Sequence, residues 1–228
     1  MTRYFTDATF AFLEDLTDNN DRDWFKTNQE RYEQHVRGPA LAFIEDFGAP
    51  LLKISPHLTA DPRKVGGSLF RIQRDTRFAK DKTPYKTHVG IQFRHVASKD
   101  VHAPGLYMHL DPGGSYAGVG LWRPATADAH AIREAIAADP AGWKRAAHGK
   151  RFTDVFDHGD PERLVRVPKG FDPDHPFVDD IRRKDFTAGA RLTRKTVTGS
   201  KFLDEYAAMC RTARPFLQFL CDAVGVAF

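Results

Sequence analysis

The chain has 228 residues, 41% hydrophobic and 28% charged, and its 34 Lys and Arg against 30 Asp and Glu leave a net charge of +4. This composition excludes collagen, coiled coil and wholesale disorder, and no apolar run reaches the ~20 residues of a membrane-spanning helix. The opening MTRYFTDATF lacks the apolar stretch of a secretory signal, so the expected setting is the cytoplasm.

The N-terminal quarter reads as helical. Thr6 is placed to cap a first helix carrying Phe10, Leu13 and Leu16 on one stripe, with Phe5 positioned as a staple onto Phe10. Asn19 stops it and Asn20 is the expected cap of a second helix, with Asp21 and Asp23 near its positive end. Gly38-Pro39 marks a kink or break, and Pro39 suits a new first turn. The period then changes. Ser68–Arg74 reads as a strand without a clear inner face. Val89, Ile91 and Phe93 alternate with Gly90, Gln92 and Arg94; Leu106, Met108 and Leu110 alternate with Tyr107, His109 and Asp111. The turn Asp111-Pro112-Gly113-Gly114 leads to Ala117, Val119 and Leu121, which alternate with Gly118, Gly120 and Trp122, making an antiparallel hairpin. Helices return at about 126–138 and after Asp139-Pro140. A short strand is expected near 163–167. Ser200 is the expected cap of one long final helix that Pro215 bends. Cys210 and Cys221 stand eleven residues apart in it, a rise of roughly 16 Å that no disulfide spans, so both are expected reduced and buried. Helices bracketing antiparallel strands define an α+β fold: a single domain over residues 1–228, its antiparallel sheet flanked by N-terminal and C-terminal helices.

The charge is concentrated. Residues 71–88, RIQRDTRFAKDKTPYKTH, hold Arg71, Arg74, Arg77, Lys80, Lys82 and Lys86 against Asp75 and Asp81, which equals the excess of the whole chain. Arg offers planar forks for phosphate or carboxylate and Lys offers point charges. The same residues also suit a solvated surface whose charges pair among themselves.

The segments Asn19-Asn20-Asp21-Arg22-Asp23-Trp24-Phe25, Phe70–Phe78 and Lys80–His88 resemble the signatures of a bacterial and fungal family of conserved hypothetical proteins, domain of unknown function 2461. Gly118-Val119-Gly120-Leu121-Trp122-Arg123-Pro124, Pro168-Lys169-Gly170-Phe171 and Ile181-Arg182-Arg183-Lys184-Asp185-Phe186 resemble its later blocks. The resemblance spans about residues 5 to 222 and implies one full-length domain, without implying an activity, cofactor or substrate. Ala79 stands where the family usually has serine, so no nucleophile is placed there.

If the strands after residue 86 share one sheet, its wet face gathers His88, Gln92 and Arg94 with Tyr107, His109 and Asp111 and with Gly118, Gly120 and Trp122. Glycines opposite large polar side chains leave room for a ligand against the backbone. The expected site is a basic pocket in which Arg71, Arg74, Arg77, Lys80, Lys82, Lys86 and Arg22 hold a small anionic ligand, phosphorylated ligands included. In it Trp122 stacks on a ring and Tyr85 or His109 transfers a proton. The alternatives are a nucleic-acid-associated module stacking bases on Phe78, Tyr85 and Trp122, and a structural or partner-binding scaffold with no catalysis. No cofactor or metal is expected. HExxH, cysteine-cluster, EF-hand, Walker A and G-x-S-x-G patterns are missing, and Gly118-Val119-Gly120 lies within a strand. His88, His95, His102 and His109 recur every seven residues, an odd spacing that alternates faces on one straight strand.

Overall fold

The structure is a computed structural model, and it describes residues 2–97 and 103–228. Helix α1 (Asp7–Asp18) starts at Thr6, whose N–H donates to the Thr9 hydroxyl at 3.1 Å. It buries Phe10, Phe12, Leu13 and Leu16. Helix α2 (Arg22–Thr27) is capped one residue later than the sequence suggests. The Asp21 carboxylate accepts from the N–H groups of Asp23 and Trp24. Asn20 instead reaches across the fold, where its amide donates to the Tyr85 carbonyl and accepts the Tyr85 N–H, both at 3.0 Å. This two-bond clasp joins the first family-like block to the basic one. Helix α3 (Gln29–Tyr32) runs through a π-turn (Glu33–Arg37) into α4 (Gly38–Leu52), with Pro39 in its first turn. A Cβ at Gly38 would stand 2.8 Å from the Glu33 carbonyl oxygen, so the wide turn needs glycine there.

The sheet is a five-stranded antiparallel meander in chain order: β1 (Leu58–Thr59), β2 (Val89–His95), β3 (Gly105–Leu110), β4 (Ser115–Leu121) and β5 (Phe186–Leu192). Its inner face is the alternation read from the sequence, Val89, Ile91 and Phe93, then Leu106, Met108 and Leu110, then Ala117, Val119 and Leu121, all buried. β5 adds Phe186, Ala188, Ala190 and Leu192. Aromatic side chains of the helices close over this face: Phe47 of α4 lies 4.7 Å from Phe93 and 5.2 Å from Tyr206 between ring centroids.

Ser68–Arg74 is not a regular strand. It touches β2 through a Leu69–Ile91 bridge and doubles back on itself through a Gln73–Tyr85 bridge. Between the two, the returning chain carries two extra residues, a bulge, and burial of Leu69 and Ile72, three apart, breaks the two-residue period. Near 163–167 only an Arg163–Arg183 bridge forms.

After β4 come α5 (Thr126–Ala138), α6 (Pro140–Ala147, capped by Asp139), α7 (Lys150–Thr153) and α8 (Val178–Ile181). Asp180 of α8 ties them, accepting from Trp143 Nε1 at 2.8 Å and lying 2.7 Å from His148 Nε2 and 3.5 Å from the buried Arg183 guanidinium. Arg133 of α5 donates to the carbonyls of Ile181 and Arg183.

Short α9 (Arg194–Val197) follows β5, and the expected single final helix is two, α10 (Phe202–Thr212) and α11 (Arg214–Ala223). Pro215 sits in the first turn of α11, where its missing N–H costs nothing, so it opens a helix instead of bending one. Lys201, not Ser200, precedes α10. Cys210 and Cys221 are buried and unpaired, and burial pushes each thiol up to about 12. No helix among the described residues is long and apolar enough to cross a membrane. The whole is a single α+β domain with one continuous core.

Candidate functional site: a glycine-floored groove and a histidine–aspartate cluster

The outer face of the sheet is set by register. Gln92 pairs with Tyr107, Tyr107 with Gly118 and Gly118 with Gly189, forming one cross-strand row. On one side lies Gly105–Gly120–Thr187; on the other, Gly90–His109–Tyr116–Arg191. Glycines in adjacent strands leave a groove of about 400 Å³ floored by Gly118, Gly120 and Gly189 and walled by Phe70, Tyr107, Tyr116 and Trp122. Gly120 is obligatory, since its φ is +116° and a Cβ would overlap the Phe186 carbonyl oxygen. Gly118 is freer: a Cβ there would make ordinary contacts at 3.6 Å with Tyr107. Gln92 lines the groove, 9% exposed, and its Oε1 is buried without a hydrogen-bond partner. At the rim the Arg123 guanidinium stacks 4.6 Å from the Trp122 ring centroid. Arg123 has a left-handed backbone (φ +48°), and its N–H donates to the Asp185 carboxylate at 2.5 Å. The GLWRP and RRKDF blocks therefore meet at this corner.

At one end of the face stands a cluster. One residue beyond the Val89–Leu110 pair, the hairpin register sets His88 opposite Asp111. The His88 and His109 rings lie 4.3 Å apart between centroids, and His109 Nε2 is 3.9 Å from Asp111 Oδ2. Tyr107 Oη is 3.1 Å from His109 Nδ1, and the Tyr116 ring stacks on His109 at 4.9 Å. Burial, then the His109 and Lys86 charges, brings His88 down to about 4, Asp111 opposing; burial also lowers His109, again against Asp111. Both shifts favour the neutral imidazole. Burial raises the Tyr107 and Tyr116 hydroxyls. The cluster shares Tyr107 and Tyr116 with the groove.

The basic segment is placed differently from the sequence expectation. Of the expected ligand-binding residues, Trp122 lines the groove; Arg71, Arg74, Arg77, Lys80, Lys82, Lys86 and Arg22 do not. The loop at 75–83 closes on itself. Arg74 pairs with Asp81 and Thr83, and Arg77 forks onto Asp75 at 2.7 and 3.0 Å. Lys82 Nζ donates to the Thr76 carbonyl, and Lys86 Nζ to those of Arg71 and Gln73. The acceptors for these cations are two to fifteen residues away along the same ribbon, so their hydrogen bonds are made within it. Arg71 and Lys80 are exposed, as is Arg22 on the first turn of α2. Phe70, immediately before the segment, walls the groove and is apolar. Tyr85 packs its ring on Phe25 at 4.1 Å and 20°, away from the groove wall. His109 is the expected proton-transfer residue that stands beside the groove. The seven-residue histidine series is split: His95 lies on the inner parity with its Nε2 2.6 Å from the Ala227 carbonyl oxygen, and His102 falls outside the described residues. Sequence reasoning missed Thr187 and Gly189, which arrive on the unforeseen β5.

No curated protein and no solved structure matches the chain. The model of a family described as conserved hypothetical protein (DUF2461) matches residues 8–219, nearly the whole fold just described with both ends of the groove inside it, and the chain belongs to that family.

Proposed function

We propose that the chain binds a small molecule with a flat ring and an anionic group in the glycine-floored groove. The observation that carries this reading is Gln92, whose buried Oε1 has no partner in the groove wall. An orphaned acceptor of this kind costs about 1–3 kcal/mol, which a donor on a ligand would recover. The groove volume of about 400 Å³ suits a small molecule. Bare backbone at Gly118 and Gly189 offers a flat floor, and Tyr116 and Trp122 offer faces for a ring. Arg123 over Trp122 and Arg191 beside Tyr116 supply rim charges for the anionic group. The two buried, unpaired thiols support a cytoplasmic setting.

A thermal-shift panel of nucleotides, sugar phosphates and aromatic carboxylates tests the reading. At least one member is expected to raise the melting temperature of the wild type and lose that effect in Gly118→Leu, whose added carbons enter the groove. No stabilisation by any member, or stabilisation untouched by Gly118→Leu, defeats it.

One observation favours nucleic acid as a second reading. Phe78 is 94% exposed at the tip of the basic loop with the Arg77 guanidinium 5.8 Å from its ring, beside exposed Lys80 and Lys82. Single-stranded oligonucleotides would then bind with a steep salt dependence and lose affinity in Phe78→Ala. The internal pairing of Arg74 and Arg77 instead supports a structural role for those two residues.

A further inference from the structure

We propose that His88, His109 and Asp111 form a binding site for one divalent first-row transition ion, of the zinc or iron(II) type, at the end of the groove. Their nitrogen and carboxylate donors all lie within 4.8 Å of one another, and among the described residues no other His, Cys, Asp or Glu trio does so. Two imidazoles and a carboxylate are the donor set that borderline ions take in sites with open positions; an all-oxygen set would have pointed to calcium or magnesium. Metal–donor bonds of about 2.0–2.2 Å place tetrahedral donors about 3.4 Å apart. His109 Nε2 and Asp111 Oδ2, at 3.9 Å, close that gap by a small side-chain rotation.

The surroundings orient these donors. Asp111 Oδ1 accepts the Gly113 N–H at 2.7 Å within the β3–β4 turn, which leaves Oδ2 directed towards His109. With an ion on His109 Nε2, Nδ1 carries the ring proton and can donate it to Tyr107 Oη, 3.1 Å away. The Tyr116 ring stacks on His109 at 4.9 Å and the His88 ring packs against it at 4.3 Å, tilted by 30°, which restrains the His109 ring plane. His109 and Asp111 keep side-chain exposures of 17% and 28%, so an ion has a way in and would keep positions open to solvent or a ligand. Two neutral donors and one carboxylate leave a bound dication with a net +1, which would draw an anionic ligand atom to those positions. The site itself is independent of any ligand in the groove.

The test uses the full chain, freed of metal with a chelator and titrated with Zn2+ by calorimetry. One equivalent per chain is expected. His88→Gln and His109→Gln should each weaken binding by at least about tenfold, and Tyr107→Phe by about tenfold through His109. His130→Gln, which alters an exposed His130–Glu134 pair on α5, should leave it unchanged. Should a variant fail to fold, ring 15N resonances of the wild type decide: Zn2+ should shift two of the ten histidines, assigned to positions 88 and 109. No uptake by the wild type overturns the proposal. So do affinities unchanged in both histidine variants, or shifts confined to other histidines.

Discussion

Asp180 carries the clearest pH signature. Burial alone would raise its carboxyl, but hydrogen bonds from His148 and Trp143 and the charges of His148 and Arg183 outweigh it and hold the group near 2, against an ordinary 3.8. Folding thus keeps a proton off Asp180 at pH values where the unfolded chain binds one. Its contribution, about 2 kcal/mol from that gap, is fully present above about pH 4 and fades as pH falls towards 2. Asp180→Asn is expected to lower stability at neutral pH and flatten the acid limb between pH 4 and 2 in denaturant melts run across that range. An acid limb as steep as in the wild type would show that other carboxylates set it. At this scale the sequence is a partial guide. Asn20 has the chemistry of a cap, but Asp21 caps equally well one residue later, and nothing local tells which side chain will reach across to Tyr85. The six cations are likewise visible as a density without a direction: whether Arg74 faces a ligand or Asp81 depends on the path of the loop at 75–83.

Among the elements, β4 and β5 depend most on backbone fit. The two glycines of β4 face the same groove with different tolerances. Gly120→Ala forces a side chain into the left-handed region and against the Phe186 carbonyl, and should cost about 2 kcal/mol or more. Gly118→Ala meets ordinary contacts and should stay within about 0.5 kcal/mol. Urea unfolding of the two variants compares them directly, and equal midpoints would mean that β5 does not run so close to β4. The meander from β2 to β4 is legible because large apolar residues alternate with polar ones or glycine, and so is the glycine floor of β4. β5 is hidden because Phe186-Thr187-Ala188-Gly189-Ala190-Arg191-Leu192 has small residues at its centre with little strand preference of their own. It becomes a strand by pairing with β4 along all seven residues. The cluster is intermediate. Alternation puts His88, His109 and Asp111 on one face, while their proximity follows from a register that a six-residue strand and its turn set only in three dimensions.

At the scale of the whole molecule, the two halves of the sequence interlock. The N-terminal helices hold the basic ribbon through Asn20 and through Phe25 against Tyr85, and the ribbon lends Phe70 to the groove. The groove's other margin comes from residues 187–189, beyond α5–α8. This ordering has a consequence for synthesis on the ribosome. Once β4 has left the exit tunnel, residues 122–185 must follow before its partner can dock, roughly 3–13 s at about 5–20 residues per second. Through that interval β4 presents an unpaired edge bearing two glycines, a template for another nascent chain. Stalled nascent chains just long enough to bring β4 out of the exit tunnel should therefore recruit chaperones and yield to protease near residue 118, and chains long enough to expose β5 should resist; equal protease resistance at both lengths would show that the edge is shielded earlier by the helices.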